Sequence, residues 1–115
     1  MKIYNKTKDT VVASDALVAR GLPQRMRGLI GRTHLPAGHG LVISPCSAIH
    51  TVMMRFAIDA IFFDSKMRAV AGVHGLKPNR FSKWYPLARG VIELPEGTLS
   101  ESPVEPGDEL CFLDT

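Results

Sequence analysis

Pro45-Cys-Ser-Ala-Ile-His-Thr-Val-Met-Met-Arg-Phe-Ala-Ile-Asp-Ala-Ile-Phe-Phe-Asp64 is the stretch that decides the fold, because it holds two runs of strand length and strand composition, 48–54 and 57–63. A thiol, an imidazole and a carboxylate interrupt the apolar pattern at Cys46, His50 and Asp59. A buried polar group costs free energy unless it is hydrogen-bonded or paired. These three side chains therefore mark the first place to look for a functional site.

Further strands are predicted on both sides of this stretch. Lys2 to Thr7 alternates weakly and 10–13 is β-branched, which favours an N-terminal hairpin that turns near Lys8 and Asp9. The same strand signals recur, separated by turn residues, at 40–44, 67–73, 90–94 and 109–113. Short strands at this spacing favour a mostly antiparallel sheet.

Helices contribute little to the predicted fold. A helical turn or two is expected after the N-terminal hairpin, and a short helix is expected from Pro23 to Gly31, with Met26, Leu29 and Ile30 on its inner face. A final helical turn can begin near Pro95 to Gly97. The predicted class is α+β and β-dominated, a small barrel-like sheet with one or two short helices, forming a single domain over 1–115.

Composition limits the class of protein. Of the 115 residues, 45% are hydrophobic and 22% are charged, and no apolar run approaches the roughly 20 residues of a membrane-spanning helix. The N-terminus has no apolar segment of the kind that directs export, so the expected location is cytoplasmic. Two cysteines, Cys46 and Cys111, form no recognised pattern and are expected to remain unbridged.

Charge is distributed unevenly along the chain. Residues 16–92 carry eleven Lys or Arg against Asp59 and Asp64, whereas the chain from Glu93 onward carries seven acids and no Lys or Arg. Such asymmetry can indicate a basic surface for an anionic partner. The alternative is that the acidic segment folds back beside the basic one and cancels much of its field.

One hypothesis pairs His50 with Asp59. If 48–54 and 57–63 form a hairpin, the two side chains share a face and could build an acid–base site, or a metal site with His74 or Cys46 as a further ligand. The alternative is that both are core polar groups bonded to nearby backbone. A Cys46–His50 nucleophilic pair is disfavoured, because residues four apart on an extended chain lie roughly 13 Å from each other.

A second hypothesis concerns the loop from Lys77 to Arg89. It interleaves four basic residues with Phe81, Trp84 and Tyr85, a composition that neutralises phosphates and stacks on bases. The alternative is a hydrophobic lid whose aromatic rings pack underneath while the cationic heads are solvated. Trp84 is the expected rim residue of a pocket whose floor is the His50 and Asp59 strand pair.

Several blocks of sequence together resemble the domain-of-unknown-function 192 family. They are Arg25-Met-Arg-Gly-Leu-Ile-Gly-Arg32, Cys46-Ser-Ala-Ile-His-Thr51, Met54-Arg-Phe-Ala-Ile-Asp59, Phe62-Phe-Asp64, Leu76-Lys-Pro78, Glu93-Leu-Pro-Glu-Gly97 and Gly107-Asp108. The resemblance covers nearly the whole chain, with Ala57 standing where the family more often has proline. It implies a small β-rich domain and almost nothing about activity, and members occur both with and without export signals.

The sequence thus predicts binding of a small or anionic ligand at a pocket formed by the 46–59 block and the 77–89 loop. The alternatives are a hydrolase or transferase that uses His50 and Asp59, and a nucleic-acid-binding accessory protein. No cofactor is identified, and His34 and His39 have no recognised metal-ligand spacing. The candidate catalytic residues are His50, Asp59 and Cys46, and the candidate ligand-binding residues are His50, Asp59, Met54, Trp84, Arg27 and Arg80.

Two structural expectations accompany this hypothesis. Ile49, Ile58, Ile61, Phe62 and Val91 are expected to share one core. The Asp59 carboxylate, surrounded by apolar residues, must be compensated by a cation or by several backbone N–H groups, and the nearby candidates are Arg25, Arg27, Arg55 and His50.

Overall fold

The computed structural model describes residues 1–19 and 34–114 of the chain. The elements in these ranges, in chain order, are β1 (Lys2–Asn5), β2 (Thr10–Ala13), β3 (Asp15–Val18), β4 (His39–Ile43), β5 (Ile58–Phe63), β6 (Ala69–Leu76), β7 (Gly90–Pro95), α1 (Thr98–Glu101) and β8 (Leu110–Leu113). No helix in these ranges is long and apolar enough to cross a membrane.

A three-stranded sheet joins the two ends of the chain. Its order is β2-β1-β8 and both pairings are antiparallel. The predicted N-terminal hairpin is confirmed, because β1 and β2 pair across the turn at 6–9. Beside the turn, Asp108 accepts hydrogen bonds from Asn5 Nδ2 and Lys8 Nζ, at 2.9 and 2.6 Å. These bonds hold the residues just before β8 against the N-terminal hairpin.

A five-stranded sheet forms the rest of the architecture, in the order β3-β4-β7-β5-β6. Its pairings are antiparallel except for that of β3 with β4. The strand β5 lies between β7 and β6, and all six of its residues are buried. Side chains alternate between the two faces of a strand, so a strand that is apolar at successive positions fits an interior strand covered on both sides.

The core consists of two clusters on opposite faces of this sheet. Ile61, Phe63, Ile92 and Leu94 face the three-stranded sheet together with Ile3. On the other face the core consists mainly of Ile43, Ile49, Met54, Ile58, Ala60, Phe62 and Val91. The expectation of one shared core is therefore wrong for Ile61, because its side chain points to the face opposite Ile58 and Phe62.

The α+β, β-dominated class is confirmed, and the two sheets are not closed into a barrel. The predicted single helical turn after Pro95 is present as α1. Residues 15–18 form strand β3, which was not among the predicted strands. The helix predicted from Pro23 to Gly31 lies outside the described residues.

The hairpin predicted from 48–54 and 57–63 is wrong. Both edges of β5 are occupied by β6 and β7, so the block before it has no edge to pair with. Residues 48–54 instead form an irregular segment with one isolated bridge, His50 to Phe81. Met53 there has a positive φ of 67°, and the Met54 N–H donates to the Thr51 carbonyl at 3.0 Å. The chain turns where a strand was expected.

The acidic C-terminal segment pairs with the N-terminal hairpin. Lys8 Nζ lies 3.2 Å from a Glu105 oxygen, in addition to its contact with Asp108, and Lys6 lies 3.9 Å from Glu109. Glu109 also forms an isolated β-bridge with Arg68 of the central basic segment, and cancellation of the basic field by the acidic segment stays a prediction. Cys46 and Cys111 are not bonded to each other in the structure, and the absence of a disulfide in the native protein stays a prediction.

Candidate functional site

The 46–54 block lies against the 77–89 loop, as the ligand-pocket hypothesis requires. Thr51, which is fully buried, joins the two segments. Its N–H donates to the Arg80 carbonyl at 2.8 Å, and its hydroxyl accepts from the Arg80 N–H at 2.9 Å and donates to the Lys77 carbonyl at 2.5 Å. The sequence-based hypotheses did not single out Thr51. Thr51 directly follows His50, and nothing in the sequence indicates that its side chain would connect the 46–54 block to the 77–89 loop.

Further backbone bonds extend this contact along both segments. The Ser82 N–H donates to the Ile49 carbonyl and the Tyr85 N–H donates to the Ser47 carbonyl, each at 2.9 Å. The Tyr85 ring packs against Phe62 of β5, with ring centroids 4.6 Å apart. The loop is thus held by the block on one side and by the sheet underneath.

His50 lies on the outside of this contact. Its side chain is exposed, its Nδ1 accepts a hydrogen bond from the Val52 N–H at 3.2 Å, and its ring lies 5.9 Å from the ring of Phe81. The bond to Val52 assigns the proton of a neutral imidazole to Nε2, which faces away from that contact. His50 is therefore available to a ligand at the surface.

Asp59 lies inside the protein, 1% exposed, and is compensated by backbone N–H groups. Oδ1 accepts from the Gly75 N–H at 2.9 Å, and Oδ2 accepts from the Gly97 and Leu99 N–H groups at 3.1 and 2.9 Å. Both glycines have positive φ, 58° and 94°, which other residues rarely adopt. Asp59 therefore ties the end of β6 and the start of α1 to β5.

The proposed His50–Asp59 pair is wrong. Asp59 lies between Ile58 and Ala60, whose side chains belong to the cluster beneath the 46–54 block. Because neighbouring residues of a strand face opposite sides, the Asp59 carboxylate points away from that block, toward α1. The prediction that backbone N–H groups or a cation would compensate Asp59 is confirmed for the N–H groups.

The remaining predicted site residues are scattered. Met54 is 6% exposed and belongs to the core, and Cys46 Sγ donates to the Ala48 carbonyl at 3.1 Å. Arg27 lies outside the described residues. Within 1–19 and 34–114, no group of three or more His, Cys, Asp or Glu side chains is placed to hold a metal ion.

The backbone bonds place the 46–54 block beside the 77–89 loop, and we call the exposed basic, aromatic and large apolar side chains of residues 50–55 and 77–89 the basic–aromatic surface. Four large apolar side chains there are 69–75% exposed, an unusual degree for residues of this size. The surface consists of His50, Met53, Arg55, Lys77, Arg80, Phe81, Lys83, Trp84, Leu87 and Arg89. Trp84 and Arg80 are thus exposed, as a role in binding requires.

The cations of this surface are unbalanced by acids. Residues 46–58 and 65–92 contain neither Asp nor Glu. Over the described ranges, none of its five Lys or Arg side chains forms a salt bridge, whereas Lys6, Lys8 and Arg68 all lie beside acids. The positive field of the protein is therefore left open at this surface.

Glu93 is a second buried carboxyl group, which the sequence-based hypotheses missed. It lies on β7 opposite Leu41 and Ala60, is 4% exposed, and has no hydrogen bond from the described residues. Burial raises the pKa of Glu93 from its ordinary 4.5 to about 7. The sequence does indicate its burial, because Glu93 is flanked by Ile92 and Leu94 just as Asp59 is flanked by apolar residues.

An open cleft of about 280 Å³ lies away from the predicted pocket, between β2, the turn before β4 and α1. Its polar lining is Ser14, Glu96, Thr98, Glu101 and Ser102. The hydroxyls of Ser14, Thr98 and Ser102 donate to neighbouring backbone carbonyls at 2.8–3.4 Å. The hydroxyl groups of the cleft are therefore already used in hydrogen bonds to the protein backbone.

Comparison with solved structures shows the same fold in two other proteins. A protein of unknown function from Novosphingobium aromaticivorans DSM 12444 matches with a TM-score of 0.81 and 18% identity, over 96% of this chain and 82% of that one. A "putative transcription regulator" from Sinorhizobium meliloti 1021 matches with a TM-score of 0.78 and 19% identity, over 96% and 89% of the two chains.

The comparison of sequences gives the family. A search of curated proteins finds no match. The family model described as "Uncharacterized ACR" matches residues 3–112, nearly the whole chain, as the sequence blocks around Cys46 and Glu93 had indicated. The chain belongs to the domain-of-unknown-function 192 family, DUF192.

Proposed function

We propose that this protein binds an anionic partner across the basic–aromatic surface. The observation that supports this most directly is the charge distribution. Five exposed Lys or Arg side chains share this surface without an acidic partner in the described residues, while Lys6 and Lys8 are paired with acids. Unpaired cations that converge on one surface attract anions and raise their rate of encounter.

The aromatic residues support the same proposal. Phe81 and Trp84 are 75% and 69% exposed and directly follow Arg80 and Lys83 in sequence. The segment that carries them is held by the bonds of Thr51 and by the contact of Tyr85 with Phe62. A surface that is ordered before binding loses less conformational entropy when the partner arrives.

Catalysis by His50 and Asp59 has less support. Asp59 faces away from the 46–54 block and its two oxygens accept three backbone N–H bonds. A general base must lie within hydrogen-bond reach of the proton that it removes, at a place that substrate can enter. His50 alone retains such access, and we assign it a contact with the anion.

The proposal is tested by titrating the protein with two probes, a fluorescein-labelled single-stranded oligonucleotide and inorganic pyrophosphate. Binding to at least one probe should weaken steeply as salt is raised, because cations that neutralise phosphates release counterions. Replacing Arg80 and Lys83 together by Ala should weaken binding about tenfold or more at low salt. Anisotropy follows the first probe and calorimetry the second.

Lys66→Ala provides the matched control, because Lys66 is exposed on the turn between β5 and β6. It removes one positive charge without touching the basic–aromatic surface. An equal loss per charge in the Lys66 variant would show that only net charge matters. Failure of both probes and of anionic vesicles to bind would contradict the proposed function.

A further inference from the structure

We infer that the anionic partner is the surface of a lipid bilayer, with the apolar tips of the basic–aromatic surface inserted among the headgroups. This inference rests on the proposed function and names its partner. It is carried by four apolar side chains with large exposed fractions: Met53 70%, Phe81 75%, Trp84 69% and Leu87 75%. A cluster of exposed apolar residues rimmed by polar ones marks an interaction site.

The conformation of the 77–89 loop determines which of its side chains are exposed. Within the same segment, Tyr85 is half-buried against Phe62 and Ala88 is buried. The fold thus covers the small and ring side chains at 85 and 88, and leaves those at 81, 84 and 87 outside. Met53 is held against the start of the same loop, since its N–H donates to the Asn79 side-chain oxygen at 3.0 Å.

The kind of apolar residue distinguishes a bilayer from a nucleic acid. Bases stack on aromatic rings, which Phe81 and Trp84 could supply. Leu87 and Met53 offer no ring, yet they are as exposed as the aromatic residues. Leu, Phe and Trp beside Lys and Arg are the combination found in segments that lie at the membrane interface.

The charges suit the same partner. Anionic headgroups attract each Lys or Arg near the bilayer surface, by about fivefold in affinity per residue. Long Lys and Arg side chains can also keep their charged ends in the headgroup layer while neighbouring apolar side chains enter the acyl boundary. Arg80 directly precedes Phe81 and Lys83 directly precedes Trp84, so a cationic and an aromatic side chain are neighbours in sequence at two points of the loop.

Trp84 gives a direct readout, because it is the only tryptophan in the chain and is mostly exposed. The full chain is mixed with vesicles of phosphatidylcholine alone, or of equal parts phosphatidylcholine and phosphatidylglycerol. With the anionic vesicles, Trp84 emission should shift to the blue, iodide quenching should fall, and the protein should sediment with lipid. With phosphatidylcholine alone, these changes should be at least about tenfold weaker at equal lipid.

Two double variants separate the apolar from the electrostatic contribution. Phe81→Ser with Leu87→Ser should weaken partitioning into anionic vesicles about tenfold or more and reduce the blue shift. Arg80→Ala with Lys83→Ala should abolish most of the preference for anionic lipid. The matched control is Leu17→Ser on β3, a residue 61% exposed, which should leave partitioning unchanged. Circular dichroism confirms that each variant folds.

The outcomes are distinct. Binding to anionic vesicles with no blue shift, and with no loss in the Phe81 and Leu87 variant, would overturn insertion and leave a purely electrostatic surface, as the proposed function states. Binding of the oligonucleotide with no vesicle binding would overturn the inference in favour of nucleic acid, again leaving the proposed function intact. Failure of both probes and of both vesicles would overturn the inference and the proposed function together.

Discussion

The two faces of the five-stranded sheet each bury one carboxyl group, and the two groups differ in the hydrogen bonds that they accept. On the face toward the three-stranded sheet, Asp59 accepts three backbone N–H bonds. On the other face, Glu93 has no hydrogen bond from the described residues, and burial raises its pKa to about 7. A buried carboxyl group can be a structural link or a group that exchanges a proton near neutral pH, and its donors decide which.

The difference follows from local backbone geometry. Gly75 and Gly97 adopt positive φ values that turn their N–H groups toward Asp59. Around Glu93, the pairings of β7 with β4 and with β5 keep a regular register, so the N–H groups between these strands are used in the sheet ladder. Among the described residues, those opposite Glu93 in the sheet are apolar, whereas the irregular pairing of β5 with β6 and the start of α1 supply donors to Asp59.

The largest expected effect tests whether the face of the five-stranded sheet that carries Glu93 is tightly packed and excludes water. Phe62 is fully buried on that face, and Phe62→Ala should lower the free energy of unfolding by about 4 kcal/mol, since it leaves a cavity in the core. Urea unfolding measures the change. Phe81→Ala, at an exposed ring, should cost under about 0.5 kcal/mol. A loss below about 1 kcal/mol for Phe62 would show that this face repacks or admits water.

The next effect tests the structural role of Asp59. Asp59→Asn replaces one accepting oxygen by an amide that donates, so at least one of the three backbone N–H groups loses its acceptor. The free energy of unfolding should fall by about 3 kcal/mol despite nearly equal volume. His50→Gln, an exposed substitution, should change it by under about 0.5 kcal/mol. Equal stability of the Asn variant and the wild type would remove the contrast between the two carboxyl groups.

A smaller, pH-dependent effect is expected at Glu93. The folded protein holds this proton up to about pH 7, whereas the unfolded chain releases it near the ordinary pKa of 4.5. Stability should therefore fall as pH rises between these values, by about 1.4 kcal/mol per pH unit, and level off above the folded pKa.

Glu93→Gln should abolish this part of the pH dependence. The variant should match the wild type near pH 5 and exceed its stability near pH 8, by about 2.5 kcal/mol. Thermal or urea unfolding at the two pH values measures both quantities. Glu96→Gln, an exposed carboxyl group, is the control and should retain the wild-type profile. A wild-type stability curve that is unchanged by Glu93→Gln would show that Glu93 is compensated when ionised.

Apolar periodicity predicted most of the strands but not how they pair. Runs such as 57–63 and 90–94 were identified from composition, and each is a strand within a residue or two. Periodicity indicates which residues face the core, and it carries no information about which strand lies beside which. The nearest run in sequence, 48–54, was therefore paired with β5, although β6 and β7 occupy both of its edges.

The candidate site was predicted in part for similar reasons. The need to compensate Asp59 followed from its apolar neighbours, but the donors did not, because the positive φ of Gly75 is a property of the folded backbone. Glu93 gave the same signal as Asp59 and was overlooked because it lay outside the Cys46 to Asp59 block. Trp84 and Arg80 are exposed and their role in binding stays a prediction, whereas Met54 lies in the core.

The pairing of β1 with β8 bears on how the protein folds during synthesis. Lys2 lies opposite Leu113, so the contact joins residues more than a hundred positions apart. Loop closure of this length is slow, and chains emerge from the ribosome N-terminus first. The second edge of β1 must therefore wait for β8. Until 110–113 arrive, the backbone of β1, which carries the fully buried Ile3 and Asn5, has one edge unpaired and open to chaperones.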